Sequence, residues 1–226
     1  MQIRKRHTCA AVAIIERMLR FLEQALYPRR CAFCGTRRLA ADACICEDCL
    51  AELPWRSELL LAGMPPLHCC AALLEYAFPV DAALKALKFR HRLDYAPAFA
   101  ALLAGVRSAL PGDIDALLPV PLHWRRHTMR GFNQAVELCT ALQGITGWPL
   151  LVNVRRVRST PSQSALQASA RSRNLRKAFA AAGAIEAQHV LIIDDVITTG
   201  ATCRELAATV LAAGAGKVSA LAVAHT

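Results

Sequence analysis

Aromatic residues are scarce, at 6% of the chain with three Trp and three Tyr. A surface built to stack bare nucleobases on rings is therefore poorly supplied. Acidic residues are also short, 17 against 27 Lys and Arg, which leaves a formal net charge of +10. A basic surface favours anionic partners such as nucleotides, pyrophosphate, nucleic acid or anionic lipid, although arginine-rich chains are also basic without a nucleic-acid role. No apolar run is long enough to span a bilayer. Met1–His7 is basic and Thr8–Ile15 mildly apolar, but Glu16, Arg17 and Arg20 interrupt before a signal-peptide core is complete, and no small-residue cleavage pattern follows. Internal repeats are absent. Gly216-Lys217 belongs to no Walker motif, because positions 211 and 218 are Leu and Val.

What is present is a chain of 226 residues with 55% hydrophobic content, enough for one α/β domain and a small module. Ten cysteines suit a disulfide scaffold only in a short secreted chain. Metal-bound thiolates in a reducing cytoplasm are the better reading. Cys31-Ala-Phe-Cys34 and Cys46-Glu-Asp-Cys49 are two Cys-x-x-Cys pairs with a short spacer, the pattern of a zinc ribbon. Each pair turns two thiolates toward one metal, and Gly35 fits the turn. Four thiolates leave no open position, so this Zn²⁺ is structural. Cys44 offers an alternative to Cys46, but ligands two residues apart chelate poorly, which favours Cys46. The competing reading is a set of free thiols.

Along the chain, Ile14–Leu26 has helical spacing and Tyr27-Pro28 ends it. Leu53-Pro54-Trp55 and Gly63–Pro66 read as a linker. Cys69-Cys70 read as buried thiols. Helices are predicted over Val80–Phe89 and Pro97–Leu110, and a short strand over Leu118–Leu122. A helix opens at Arg130-Gly131-Phe132-Asn133-Gln134 and runs to about Gln143, and Leu150–Val154 is a candidate strand. Arg155–Lys177 is polar and basic and reads as a loop. A last strand is predicted over Val218–Val223. Alternating strands and helices imply a mostly parallel sheet.

The richest stretch is Val190–Thr202. Four apolar residues, Val190–Ile193, predict a strand buried on both faces that ends in Asp194 and Asp195. A turn, Thr198-Thr199-Gly200-Ala201-Thr202, follows and leads into a helix from about Cys203 to Ala213. A turn of this kind aims backbone N–H groups and hydroxyls at one point, beside the positive end of a helix, and so makes an anion site, most simply for phosphate. Gly200 lets the backbone approach without a Cβ in the way. The two Asp suit ribose hydroxyls or a hydrated Mg²⁺. The bland alternative is an acidic strand end followed by a Thr cap. The ordered string resembles the PRPP-binding loop of type I phosphoribosyltransferases.

Four elements now stand in order: the paired Cys-x-x-Cys, Leu87-Lys88-Phe89, Val120-Pro121-Leu122 with Arg130–Gln134, and the acidic loop. Thr160, Gln163, Leu166, Arg171, Asn174 and Ala178-Phe179 follow a matching signature. Together they resemble the ComF family of competence proteins and its GntX-like relatives, from roughly Tyr27 to Ala224. The resemblance implies an α/β fold with a mostly parallel sheet of type I phosphoribosyltransferase type, preceded by a zinc ribbon. Its divisions are an amphipathic helix over 1–26, a zinc-ribbon module over 27–56 and a phosphoribosyltransferase-like domain over 57–226. It places a pyrophosphate loop near Pro119–Leu122 and a catalytic loop over Arg155–Asn174. It implies catalytic roles for Lys88, Arg130 and Arg171, although a solvated helical Lys is the default for Lys88. Asp194, Asp195 and Thr198–Thr202 would hold PRPP or a ribose 5-phosphate ligand with Mg²⁺. Asn133 and Gln134 either orient substrate or cap the helix, with capping favoured. His123 and His127 read as ordinary surface residues, and no general base is named.

The implied activity is transfer of a phosphoribosyl group from PRPP to an unnamed acceptor. The alternative is a non-catalytic accessory of DNA uptake in the cytoplasm that touches single-stranded DNA or a partner protein. A sensor that binds PRPP without turnover is a third reading.

Overall fold

The apolar run Val190–Ile193 lies at the heart of the sheet, and all four side chains are fully buried. The computed structural model describes residues 30–36, 39–40, 43–61, 64–122, 131–158 and 177–226. The helix expected over 14–26 lies outside the described residues, as do His123, His127, Arg130, Arg171 and Asn174. The chain divides into two compact units between Ala51 and Glu52. Among its described residues the first contains one short helix, α1 (Glu47–Ala51). The second runs β1 (Cys69–Glu75), α2 (Val80–Arg90), α3 (Tyr95–Gly105), a 3-10 turn (Arg107–Ala109), β2 (Ala116–Pro119), α4 (Gln134–Thr146), β3 (Val154–Arg156), β4 (Phe179–Ala181), β5 (His189–Ile197), α5 (Ala201–Ala212) and β6 (Lys217–His225). The main sheet has the order β1-β6-β5-β2, and every neighbouring pair is parallel. β3 and β4 form a separate antiparallel pair. The expected α/β class with a mostly parallel sheet is the one the chain adopts.

Pleating sends alternate residues of a strand to opposite faces. Val190 and Ile192 of β5 join Val218 and Ala220 of β6 in one cluster with Leu206 and Val210 of α5. Leu191 and Ile193 turn to the other face, the side on which α3 and α4 pack together and bury Phe99, Leu103, Leu138 and Leu142. Fully burying each such side chain stabilises by about 1.5–3 kcal/mol. A β5 sandwiched in this way is a rigid stalk that fixes whatever its carboxyl end carries.

Several boundaries differ from the sequence reading. β5 does not stop at the acidic pair but continues to Ile197, because Val196 and Ile197 stay in register with Ala224 and His225 of β6. The stretch Cys69–Glu75 is strand β1, paired with β6, rather than a simple apolar stretch. Its Cys, Ala and Leu residues carry no β-branched signal. α3 begins at Tyr95, since Pro97 is tolerated in a first helical turn. α4 begins at Gln134 rather than Arg130. Leu150 makes only an isolated bridge to Leu117, and β3 starts later, at Val154. Among the described residues no helix is long and apolar enough to cross a membrane.

At the opposite end of the sheet from the acidic pair, His189 opens β5 fully buried. Its Nδ1 lies 2.6 Å from Asp113 Oδ1 and its Nε2 lies 2.8 Å from Ser219 Oγ of β6. Lys217 donates to the same Asp113 carboxylate at 2.8 Å. The Asp115 carboxylate accepts from the backbone N–H groups of Gln188 and His189 at 2.9 and 3.0 Å.

Candidate functional site

The acidic pair sits where β5 leaves the core. Asp194 Oδ1 accepts the Asp195 N–H, and Asp195 Oδ1 accepts the Val196 N–H, both at 2.9 Å. Neither carboxylate swings freely. Asp195 has the face parity of Leu191 and Ile193 and forms an ion pair with the Lys88 ammonium of α2. Asp194 has the opposite parity and borders the turn that leads into α5. Burial, and then the charge of Asp195, pushes the Asp194 carboxyl well above the usual carboxylate range, while Lys88 pulls the other way. Two carboxylates crowded in this manner favour any cation that can share them.

The turn itself folds as the sequence suggests. Thr198–Thr202, with Asp194 beside them, enclose a small recess of about 30 Å³. Gly200 caps α5 at φ 68°, a left-handed conformation that a side chain strains. A Cβ there would also displace the flexible end of the Met64 side chain, but the left-handed backbone is what calls for glycine. The 12-residue α5 starts at Ala201 and points its positive end into this recess.

A wider cavity of about 330 Å³ gathers Lys88, Asp194, Asp195, Thr198 and Thr202 on one side and Asn133, Gln134 and Arg156 on another. Of the expected site residues, Lys88, Asp194, Asp195, Thr198 and Thr202 line this space, Thr199, Gly200 and Ala201 line the small recess, and Lys88 is a partner of Asp195 rather than a solvated lysine. Asn133 is a helix cap, as favoured: its Oδ1 accepts from Ala135 N–H at 3.1 Å, and its Nδ2 donates to the Val120 carbonyl at 3.0 Å. The sequence did not single out Arg156, Tyr76 or Thr226, which also line the cavity. Arg156 was one member of a basic run, and nothing local distinguishes it from Arg155 or Arg158. An adjoining cavity of about 620 Å³ is larger, but its walls are mostly Pro, Leu and Val and it contains neither aspartate. Arg155 and Arg156 border the larger cavity as well, but the paired carboxylates and Lys88 are in the smaller space.

In the first unit the sulfurs of Cys31, Cys34, Cys46 and Cys49 all lie within 4.8 Å of one another. Thiolates at about 2.3 Å from a tetrahedral metal stand roughly 3.8 Å apart, and Cys34 Sγ lies 3.9 Å from Cys46 Sγ. The set fits one ion with no open position. Gly35 donates its N–H to the Cys31 carbonyl at 2.9 Å with φ 70°, closing the first knuckle. Cys44 is outside the cluster and contributes its carbonyl to Ala32 N–H at 3.0 Å. Burial raises the Cys31 thiol, but N–H groups of Cys34, Cys46 and Phe33 outweigh that and lower it overall.

A parallel sheet in which an interior strand carries paired carboxylates near its carboxyl end, followed by a threonine–glycine turn and a helix N-terminus, defines an α/β protein. A cluster of four cysteine sulfurs precedes it. The chain is 34% identical over 209 residues to the DNA utilization protein YhgH of Salmonella typhi, covering 87% of this chain and 90% of that protein. It is 33% identical over 215 residues to the protein of the same name from Escherichia coli strain K12, with the same coverage. It is 32% identical over 188 residues to Competence protein F of Haemophilus influenzae, covering 78% and 76%. The chain belongs to the ComF family. No family model matches it. Among solved structures it is similar to the hypoxanthine phosphoribosyl transferase of Trypanosoma cruzi at 16% identity, covering 57% of this chain and 62% of that one with a TM-score of 0.34. It is likewise similar to a purine phosphoribosyltransferase of Pyrococcus horikoshii at 18% identity, covering 60% and 83% with a TM-score of 0.31.

Proposed function

We propose that this protein binds PRPP with Mg²⁺ in the cavity at the end of β5 and transfers its phosphoribosyl group to an acceptor. The observation that carries this reading is the union, in one cavity, of Asp194 and Asp195 with Thr198 and Thr202 around the start of α5. The 5-phosphate lies in the turn, held by backbone N–H groups and the helix dipole. The carboxylates take the ribose hydroxyls and a hydrated Mg²⁺, which they fit as hard oxygen donors. That ion supplies charge neutralisation for the leaving pyrophosphate. In the transfer, the bond from C1 to the pyrophosphate oxygen breaks and its electron pair leaves with the pyrophosphate. The acceptor's lone pair forms the new bond to C1, and its proton passes to solvent. Lys88 keeps Asp195 in place, and Arg130 and Arg171 are assigned to the departing charge.

Calorimetry tests the proposal. Wild type binds PRPP in a Mg²⁺-dependent manner, and Asp194→Asn/Asp195→Asn removes the heat. Wild type that binds neither PRPP nor ribose 5-phosphate overturns the reading. In the first unit we assign a structural Zn²⁺ to Cys31, Cys34, Cys46 and Cys49.

A second reading, compatible with the first, takes its support from the relatives named for DNA utilization and competence and from the net charge of +10. In it the protein contacts single-stranded DNA, or a protein partner in DNA uptake, as an accessory. Single-stranded DNA binding then weakens steeply with salt, with a log–log slope of roughly −0.7 per phosphate contacted. A flat response speaks against it.

A further inference from the structure

Gln134 is 3% exposed, and its Nε2 has no hydrogen-bond partner among the described residues. A buried amide donor left unsatisfied is destabilising, so its persistence calls for an explanation. Its neighbour Asn133 has committed its side chain to the cap and to Val120, whereas Gln134 lines the same cavity as Asp194, Asp195 and Thr198. Gln134 is also the first residue of the 13-residue α4, whose positive end favours an anion. Arg156, only 9% exposed, lines the same flank. The carboxylates all come from β5, so this flank is the electropositive side of the cavity, distinct from the turn before α5.

We propose that Gln134 is a ligand-binding residue that donates its carboxamide N–H to a second anionic group on the sugar, so that the cavity discriminates a pentose carrying anions at both ends from a simple pentose 5-phosphate. The assignment rests on the phosphoribosyl reading above and adds a residue that recognises the leaving pyrophosphate. It also accounts for the unpartnered donor: the ligand completes a hydrogen bond that the described residues leave open. A hydrogen bond to a charged oxygen contributes roughly tenfold or more in affinity.

The test measures PRPP and ribose 5-phosphate binding, with Mg²⁺, to full-length wild type, Gln134→Met and Gln134→Glu, alongside thermal melting. In Gln134→Met, PRPP affinity falls roughly tenfold while ribose 5-phosphate affinity stays within about twofold. The Tm of this variant is unchanged or higher, because an unsatisfied buried donor has been removed. Gln134→Glu places an anion on that flank and loses PRPP more severely. Equal losses for both ligands, an unchanged PRPP affinity, or a lowered Tm in Gln134→Met would each overturn the assignment and leave the phosphoribosyl reading intact. Wild type that binds neither ligand overturns that reading and this one with it.

Discussion

Lys88 shows how far a single side chain can depart from its sequence context. In the sequence it is one charged residue on a helix whose solvent face also carries Lys85. In the fold Lys85 pairs locally with Asp81 at 2.7 Å, while Lys88 reaches across to the 8%-exposed Asp195. Removing one partner of a buried ion pair leaves the other charge stranded, at about 3–5 kcal/mol when the site is dry. Lys88 is partly exposed, so Lys88→Met is expected at the lower end of that range. The double variant Lys88→Met/Asp195→Asn regains much of that stability but not PRPP binding. Urea denaturation and calorimetry on Lys88→Met, Asp195→Asn and the double variant separate the two effects, and a double variant as unstable as Lys88→Met would rule the pairing out as the cause. The acidic loop was legible because its residues are contiguous and their chemistry is local. Lys88 and Gln134 were not legible in the same sense, since what decides their roles is a partner, or the lack of one, brought by another element.

At the scale of elements, the two ends of β5 do opposite work. The carboxyl end carries crowded charge, and the amino end is tied down. Asp113, His189 and Ser219 stand in the order of an acid–base–hydroxyl relay, but His189 and Ser219 are fully buried and hold β5 to β6. Lys217 first, and then His189, hold the Asp113 carboxyl well below the usual carboxylate range. Its proton therefore binds more tightly in the unfolded chain than in the folded one. The stabilisation is fully present above the unfolded value near 3.9 and is lost as pH falls through the folded value. Melting of wild type and Asp113→Asn should differ at pH 6 and converge as pH drops below about 4. A gap that widens toward acid would contradict this. The strands themselves were unevenly legible. β5 announced itself through four aliphatic residues in a row, whereas β1, made of Cys, Ala and Leu, has composition that suits a helix as well as a strand. Only its register with β6 decides the matter.

For the molecule as a whole, the described residues of the first unit are held by their cysteines more than by a core. Its helix α1 spans five residues and buries none of them fully. A unit so small needs a staple. Elemental analysis of purified protein should find one zinc per chain. Cys46→Ser should lose it, whereas Cys44→Ser should keep it, since Cys44 lies outside the sulfur cluster. Retention in Cys46→Ser with loss in Cys44→Ser would reverse the ligand assignment. Two Cys-x-x-Cys pairs revealed this unit in the sequence because metal coordination depends on short spacings. The choice between Cys44 and Cys46 needed the fold.

The strand order has a consequence for how the chain is made. β1 has one partner in the main sheet, β6, and the two are separated by most of the sequence, with Cys69 opposite Ser219. During synthesis the preceding residues 54–61 can bridge one edge of β1, through Trp55–Leu74 and Leu60–Ala71, but the edge that β6 will cover stays bare until β6 follows. Once β5 is made, its edge that β6 will cover is open too, on the very strand that carries the acidic pair. The binding site and the sheet are therefore completed in one late event, and a ribosome that stalls before residue 217 releases a chain with two bare edges rather than a weakened protein.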